Sequence, residues 1–233
     1  MILTAFLLAL RDLFRRGSLR VLILGVALSV ALLLGFYAGL VQLVDWATPD
    51  SLTLPWVGEV TWVDDLLSWG SLALMLVMSL FLMVPVASAF TGFFLDDVAA
   101  SVEARHYPQL PPARAVPMTE ALQDGLNFLA VLLLVNLLAL IAYAFAGPAT
   151  PLLFWAVNGY LLGREYFQMV AMRRMDRAAA RALRRQHRGT VWLAGVLMVL
   201  PLTVPVLNLV VPVLGAATFT HLFHGLRGEM RAR

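Results

Sequence analysis

Between Arg20 and Asp45 the chain carries no charged residue. The run 21–44 is long enough for a helix to cross the hydrocarbon core of a bilayer, which takes ~20 apolar residues. Three further runs without a formal charge follow, at 66–95, 126–163 and 190–223. In hydrocarbon every backbone N–H and C=O must be satisfied within the protein, so such runs become helices. The whole chain is 61% apolar and 13% charged. A typical soluble domain carries about 25% charged residues. This chain cannot cover itself with polar surface, and we expect an all-α integral membrane protein forming a single membrane domain over 1–233. The absence of cysteine excludes disulfides, thiolate metal sites and thiol nucleophiles. No Gly-x-Ser-x-Gly, Walker or Rossmann pattern is present. We therefore expect no enzyme, no cofactor and no ATP hydrolysis.

The four runs are of two kinds. Those at 21–44 and 66–95 are continuous and predict two long transmembrane helices, the second kinked at Pro85. The second continues as a polar helix, "DDVAASVEARHY", up to Pro108, and "PQLPPARAVP" then reads as a loop of a cytoplasmic extension. The other two runs are broken. "GPATP" splits 126–163, and Pro201, Pro205, Pro212 and Asn208 interrupt 190–223. The limb 152–163 would rise only ~18 Å, short of a ~30 Å core. Two equal limbs of 190–223 would each rise only ~25 Å. Broken backbone at membrane depth is tolerated where it is buried in protein or lines a wet cavity. We therefore expect two Pro/Gly-broken, hemi-penetrating helical hairpins, and paired interrupted segments of this kind point to a transport site. Residues 2–16 read as an N-terminal interfacial helix, with Ile2, Phe6, Ala9, Leu10, Leu13 and Phe14 on one face. Residues 164–188 read as one basic helix.

All 17 basic residues are arginine, and their placement sets the topology. They precede the first long run, follow the second, crowd 164–188 and recur at the tail. The loop 45–65 has none, and it holds Asp45, Asp50, Glu59, Asp64 and Asp65. Under the positive-inside rule that loop is external and both termini are cytoplasmic, in a multi-pass protein of the bacterial inner membrane. Positive charge distributed as topology demands is not a nucleic-acid signal.

"RGSLRVLIL", at the start of the first long run, resembles the opening of the CysZ-type sulfate permeases, part of an etoposide-induced-protein-like membrane family. "VPVLNLVVPVLGAATF" (204–219) is similar to that family's C-terminal segment, and the order of elements also fits. The resemblance implies a transporter or channel for inorganic oxyanions, above all sulfate, and we expect a homo-oligomer. Where the family pattern has paired arginines this sequence has Leu19 then Arg20.

The anion site this reading predicts is Arg16, Gly17, Ser18, Leu19 and Arg20. Ser18 caps a helix starting at Leu19. Free N–H groups there, together with the helix dipole, favour an oxyanion. Arg20 gives paired hydrogen bonds, and Arg16 assists. The plainer account is that these arginines anchor the chain to lipid phosphates. Asn127, Asn158, Arg164 and Asn208 are candidates to line the pathway, with helix–helix hydrogen bonding as the alternative for the amides. Arg164 with Glu165 reads as a structural pair. The 164–188 arginines either concentrate anions at a cytoplasmic mouth or lie on anionic lipid. Two metal-like spacings, Glu103 with His106 and His221 with His224, are discounted, because the first lacks a second copy and the second shows no third ligand. The competing reading of the whole chain is a non-transporting membrane scaffold or lipid-interacting protein.

Overall fold

Gly147 takes φ +49° and ψ −125°, a conformation that side chains with a Cβ rarely adopt, and there the chain reverses. Before it runs a helix of 29 residues, Met118–Ala146. After it, one 3-10 turn (Gly147–Ala149) with Pro148 near its start leads into Thr150–Met172. Arg164 reaches back to Asn127, and Arg177 to Gln123 and Asp124, so the two helices form an antiparallel hairpin.

The protein is described from a computed structural model that covers residues 1–13, 15, 95–204 and 210–229, with scattered positions between 19 and 59. In chain order the helices are α1 (Ile2–Leu13), α2 (95–106), α3 (Met118–Ala146), α4 (Thr150–Met172), α5 (Arg177–Gln186), α6 (Arg188–Leu202) and α7 (Val211–Leu226). All belong to one compact unit, residues 1–22 with 94–233. The second unit, Ile23–Phe93, is helical at its described positions between 23 and 42. It also carries a short antiparallel ladder, Thr53–Leu54 against Gly58–Glu59, with Thr53 opposite Glu59. The run 66–95, apart from Leu95, lies outside the described residues, as do Arg16, Gly17, Ser18 and Asn208.

Three expectations change. The limb after the Gly147 turn does not stop at Gly163. It continues through Arg164 to Met172 as 23 residues, or ~34 Å. Hydropathy falls at Arg164, but nothing there breaks a helix, so the drop marks a change of surroundings rather than an end of structure. The basic stretch 164–188 is accordingly not one helix. The chain turns at Arg173–Asp176, and Asp176 caps α5 by accepting from the Ala179 N–H at 2.8 Å. Helix α1 ends at Leu13, and its inward face is Ala5, Ala9, Asp12 and Leu13, with Leu3, Leu7 and Leu10 turned outward. At 12 residues it rises ~18 Å and cannot span a bilayer.

Small residues let the central helices approach closely. On α4, Gly159 and Gly163 lie one turn apart and face Gly195 of α6, where an added Cβ would sit 1.9 Å from the Gly159 carbonyl oxygen. This is the close backbone contact typical of helices packed inside membranes. Helix α7 is buried along most of its length, with Phe219, Leu222 and Phe223 fully enclosed. Tyr166 of α4 stacks on Phe219, and Phe167 packs edge-on to Phe223.

Helix α3 is the opposite case. Ala139 is its one buried residue, while Leu133, Leu137, Leu140, Ile141 and Phe145 are exposed. Among the described residues, the stretch Met118–Met172 is long and apolar enough to cross a membrane. An uncovered apolar surface of this extent requires lipid or another protein surface against it.

Candidate functional site

Where α3, α4, α5 and α6 meet, they form a cavity of about 710 Å3, open on one side and lined by Arg164, Arg181, Arg184, Arg185 and Arg188. No carboxylate is among the lining residues, and Asn127, Tyr160 and Trp192 complete its polar wall. The sequence assembles it in steps. Gly147 folds α4 back along α3, placing Arg164 beside Asn127. The Asp176 cap starts α5 in a new direction. Asp124 of α3 then holds α5 in place, accepting from Arg177 at 3.2 Å and from Arg181 at 3.5 Å. Trp192 donates to the Ala156 carbonyl at 3.0 Å, which fixes α6 against α4.

Arg164 is 7% exposed. One end of its guanidinium, Nη2, donates to the Asn127 carbonyl at 3.3 Å, and its carbon lies 5.6 Å above the Phe128 ring. With the Asn127 side-chain oxygen turned toward them, Arg164 and Arg181 also donate to it at 2.8 and 3.0 Å. The other end, Nη1, is buried with no partner, and so is Nε of Arg184. Burial, then the charge of Arg164, push the Arg184 guanidinium below its ordinary pKa. Buried N–H groups without acceptors are costly, and clustered positive charges repel. An oxyanion would relieve both penalties, since its oxygens accept the free N–H groups and its charge offsets the guanidiniums.

The candidates named from the sequence divide accordingly. Asn127 and Arg164 come together at this cavity. Asn158 does not line it, and its amide donates to the Phe154 carbonyl of its own helix at 2.9 Å; Asn136 does the same with Leu132 at 2.8 Å. Arg164 hydrogen-bonds to Asn127 rather than to Glu165. At the predicted anion turn, Leu19 and Arg20 are helical and exposed. The Leu19 N–H is not free as expected. It donates to the Arg15 carbonyl at 2.8 Å. Five of the eight arginines of 164–188 gather around the cavity through the turn at Arg173–Asp176, while Arg173, Arg174 and Arg177 pair with carboxylates elsewhere, a division no periodicity along one helix would reveal.

A second polar cluster, buried between α1, α2 and α7, was not anticipated. Asp12 Oδ2 lies 2.9 Å from His106 Nε2 and 3.1 Å from His221 Nε2. The Tyr107 hydroxyl is 3.1 Å from His221 Nδ1, and its ring stacks on His224 at 4.2 Å. Glu103 accepts from His224 at 3.2 Å and from Arg174 Nε at 2.9 Å, and it pairs with Arg173 at 3.3 Å. Burial by itself would raise the Glu103 carboxyl. The hydrogen bonds from His224 and Arg174 and the charges of Arg173 and Arg174 outweigh it and hold Glu103 at about 2. The two discounted spacings, Glu103 with His106 and His221 with His224, thus meet in space, and Asp12 supplies the third ligand-type residue that the sequence did not show.

No curated protein gives a significant match to this chain. The exposed apolar hairpin and the close glycine packing are nonetheless features of a membrane protein. The match of residues 5–212 agrees with them and places the chain in the family described as sulfate transporter CysZ/etoposide-induced protein 2.4.

Proposed function

We propose that the protein passes sulfate or a closely related inorganic oxyanion across the inner membrane, with the arginine cavity as its cytoplasmic station. The observation that carries this reading is the buried Arg164, whose Nη1 has no partner, in a cavity lined by five arginines and no carboxylate. Arginine suits the task because its planar donors fork around a tetrahedral anion and its charge survives burial. Residues 16–20 serve as a second basic station at the start of the first long helix, with Arg20 as its principal cation. Asn127 orients Arg164 and Arg181 rather than touching the anion first. The exposed face of α3 meets lipid or a second copy of the chain in a homo-oligomer.

The test is sulfate binding and radiolabelled sulfate flux in liposomes of neutral lipid. A charge-assisted hydrogen bond contributes roughly 1.5–3 kcal/mol, so Arg164→Gln and Arg184→Gln should each weaken binding by about 10-fold to 100-fold. Arg20→Ala should slow flux with a smaller effect on binding to the cavity. Unchanged binding and flux in Arg164→Gln would remove the cavity from the mechanism. If the purified protein retains anionic phospholipid through Arg164 and Arg184 but moves no sulfate, the lipid-interacting reading takes its place.

A further inference from the structure

We propose that Asp12, His106 and His221 form a binding site for one divalent transition-metal ion of the zinc class, which joins α1 to α2 and α7. One carboxylate with two imidazoles is a donor set that suits zinc and its neighbours and does not suit magnesium or calcium. The three donor atoms all lie within 4.8 Å of one another. Bonds of ~2.0–2.1 Å in a tetrahedral site put neighbouring donors ~3.3 Å apart. The two carboxylate–imidazole distances, 2.9 and 3.1 Å, are already within a few tenths of that value. Only the gap between the two imidazoles, whose rings sit edge to face, has to adjust.

The surroundings fit an ion as well as the donors do. Asp12 is 4% exposed and His221 fully buried, so their rotamers are held by packing. A metal-bound imidazole usually donates its other ring N–H to a fixed acceptor, and the Tyr107 hydroxyl stands 3.1 Å from His221 Nδ1. Without an ion, each Nε2–H donates to Asp12. A bound ion takes each Nε2 in place of that proton, which moves to Nδ1 or leaves to solvent. The Arg15 guanidinium takes the other Asp12 oxygen at 3.2 Å and leaves Oδ2 to the imidazoles. The His106 side chain is 22% exposed, which leaves that side open to a water as a fourth ligand. The adjacent Glu103 is already committed to Arg173, Arg174 and His224 and does not compete.

The experiment uses the full chain in detergent, stripped with a chelator, dialysed against Zn2+ or Co2+, and assayed for metal content. The wild type should keep one ion per chain, and Co2+ should show the intense visible absorption of four-coordinate geometry. Tyr107→Phe should lower affinity by about 10-fold to 100-fold, and Asp12→Asn and His106→Gln by more. His187→Ala, which removes the one histidine outside the cluster, should bind as the wild type does. Zn2+ should raise the melting temperature of the wild type and leave that of His106→Gln unmoved. The measurement on the wild type does not depend on any variant folding. Absence of a stoichiometric ion there overturns the proposal, as does binding that survives in Asp12→Asn and His106→Gln but is lost in His187→Ala.

Discussion

Glu103 is a carboxylate buried in a membrane protein, yet it is held ionised, and that makes it a measure of what the polar cluster contributes. Its pKa is lowered from 4.5 to about 2. A depressed carboxylate stabilises the fold at any pH above its unfolded value, and the contribution is lost as pH falls from about 4.5 toward 2. A shift of that size corresponds to about 3 kcal/mol. Thermal melts in detergent should therefore fall most steeply between pH 4.5 and 2. Glu103→Gln should cost about 3–5 kcal/mol at pH 7, because Arg173 and Arg174 lose a buried partner. The variant should also lose the part of that acid dependence that Glu103 supplies, while the part from Asp12, whose carboxyl the His221 and His106 hydrogen bonds lower against its burial, remains. A wild-type profile with no steeper loss between pH 4.5 and 3 would mean Glu103 is not carrying charge in the fold. This residue also marks the limit of the sequence. The Glu103–His106 and His221–His224 spacings were visible, but Asp12 and His106 are 94 positions apart and Asp12 and His221 are 209 apart. Local periodicity carries no trace of a contact at that separation.

Elements were legible where the backbone itself imposes them. Gly147 followed by Pro148 predicts a reversal, and the reversal is there because few residues other than glycine accept the φ of +49°. The extent of α4 was not legible, because its apolar limb ends at Gly163 while its hydrogen bonding runs on to Met172. Hydropathy reports the surroundings of a helix, and helix termini answer to caps and breakers. The α4–α6 contact was also hidden, since a pair of glycines acquires meaning only when a third faces it. It makes a specific prediction. Gly195→Ala would place a Cβ against the Gly159 carbonyl and must push α4 and α6 apart, at a cost of about 1–3 kcal/mol or more. Gly125→Ala, where nothing lies within 4 Å, should instead stabilise α3 by about 0.5–1 kcal/mol. Parallel melts of the two variants check this, and a Gly195→Ala protein as stable as the parent would mean the helices are not in contact at that level.

At the scale of the whole molecule, the arginines should fix which side each segment faces, and the hairpin should fix how deep it goes. Impermeant thiol reagents read both in a chain without cysteine. Ser51→Cys, in the arginine-free loop, should be labelled from outside intact cells. Ala182→Cys, exposed on α5 between Arg181 and Arg184, should be labelled only after the membrane is opened. Depth is set by Arg164. Its guanidinium is bonded to the Asn127 carbonyl, so the two helices share one level there, and under the positive-inside rule the surrounding arginines should put that level near the cytoplasmic face. From that level α3 rises ~28 Å to Ala146, and α4 with the 3-10 turn covers a similar height. The hydrocarbon core is ~30 Å thick and the bilayer with its head groups ~40–45 Å, so the turn around Gly147 should stop short of the outer head-group surface. Ala149→Cys, exposed at that turn, should therefore resist the reagent from outside. Labelling of Ala149→Cys from outside would make the hairpin a full double crossing. Labelling of Ala182→Cys from outside would invert the topology and turn the arginine cavity toward the wrong side for a cytoplasmic station.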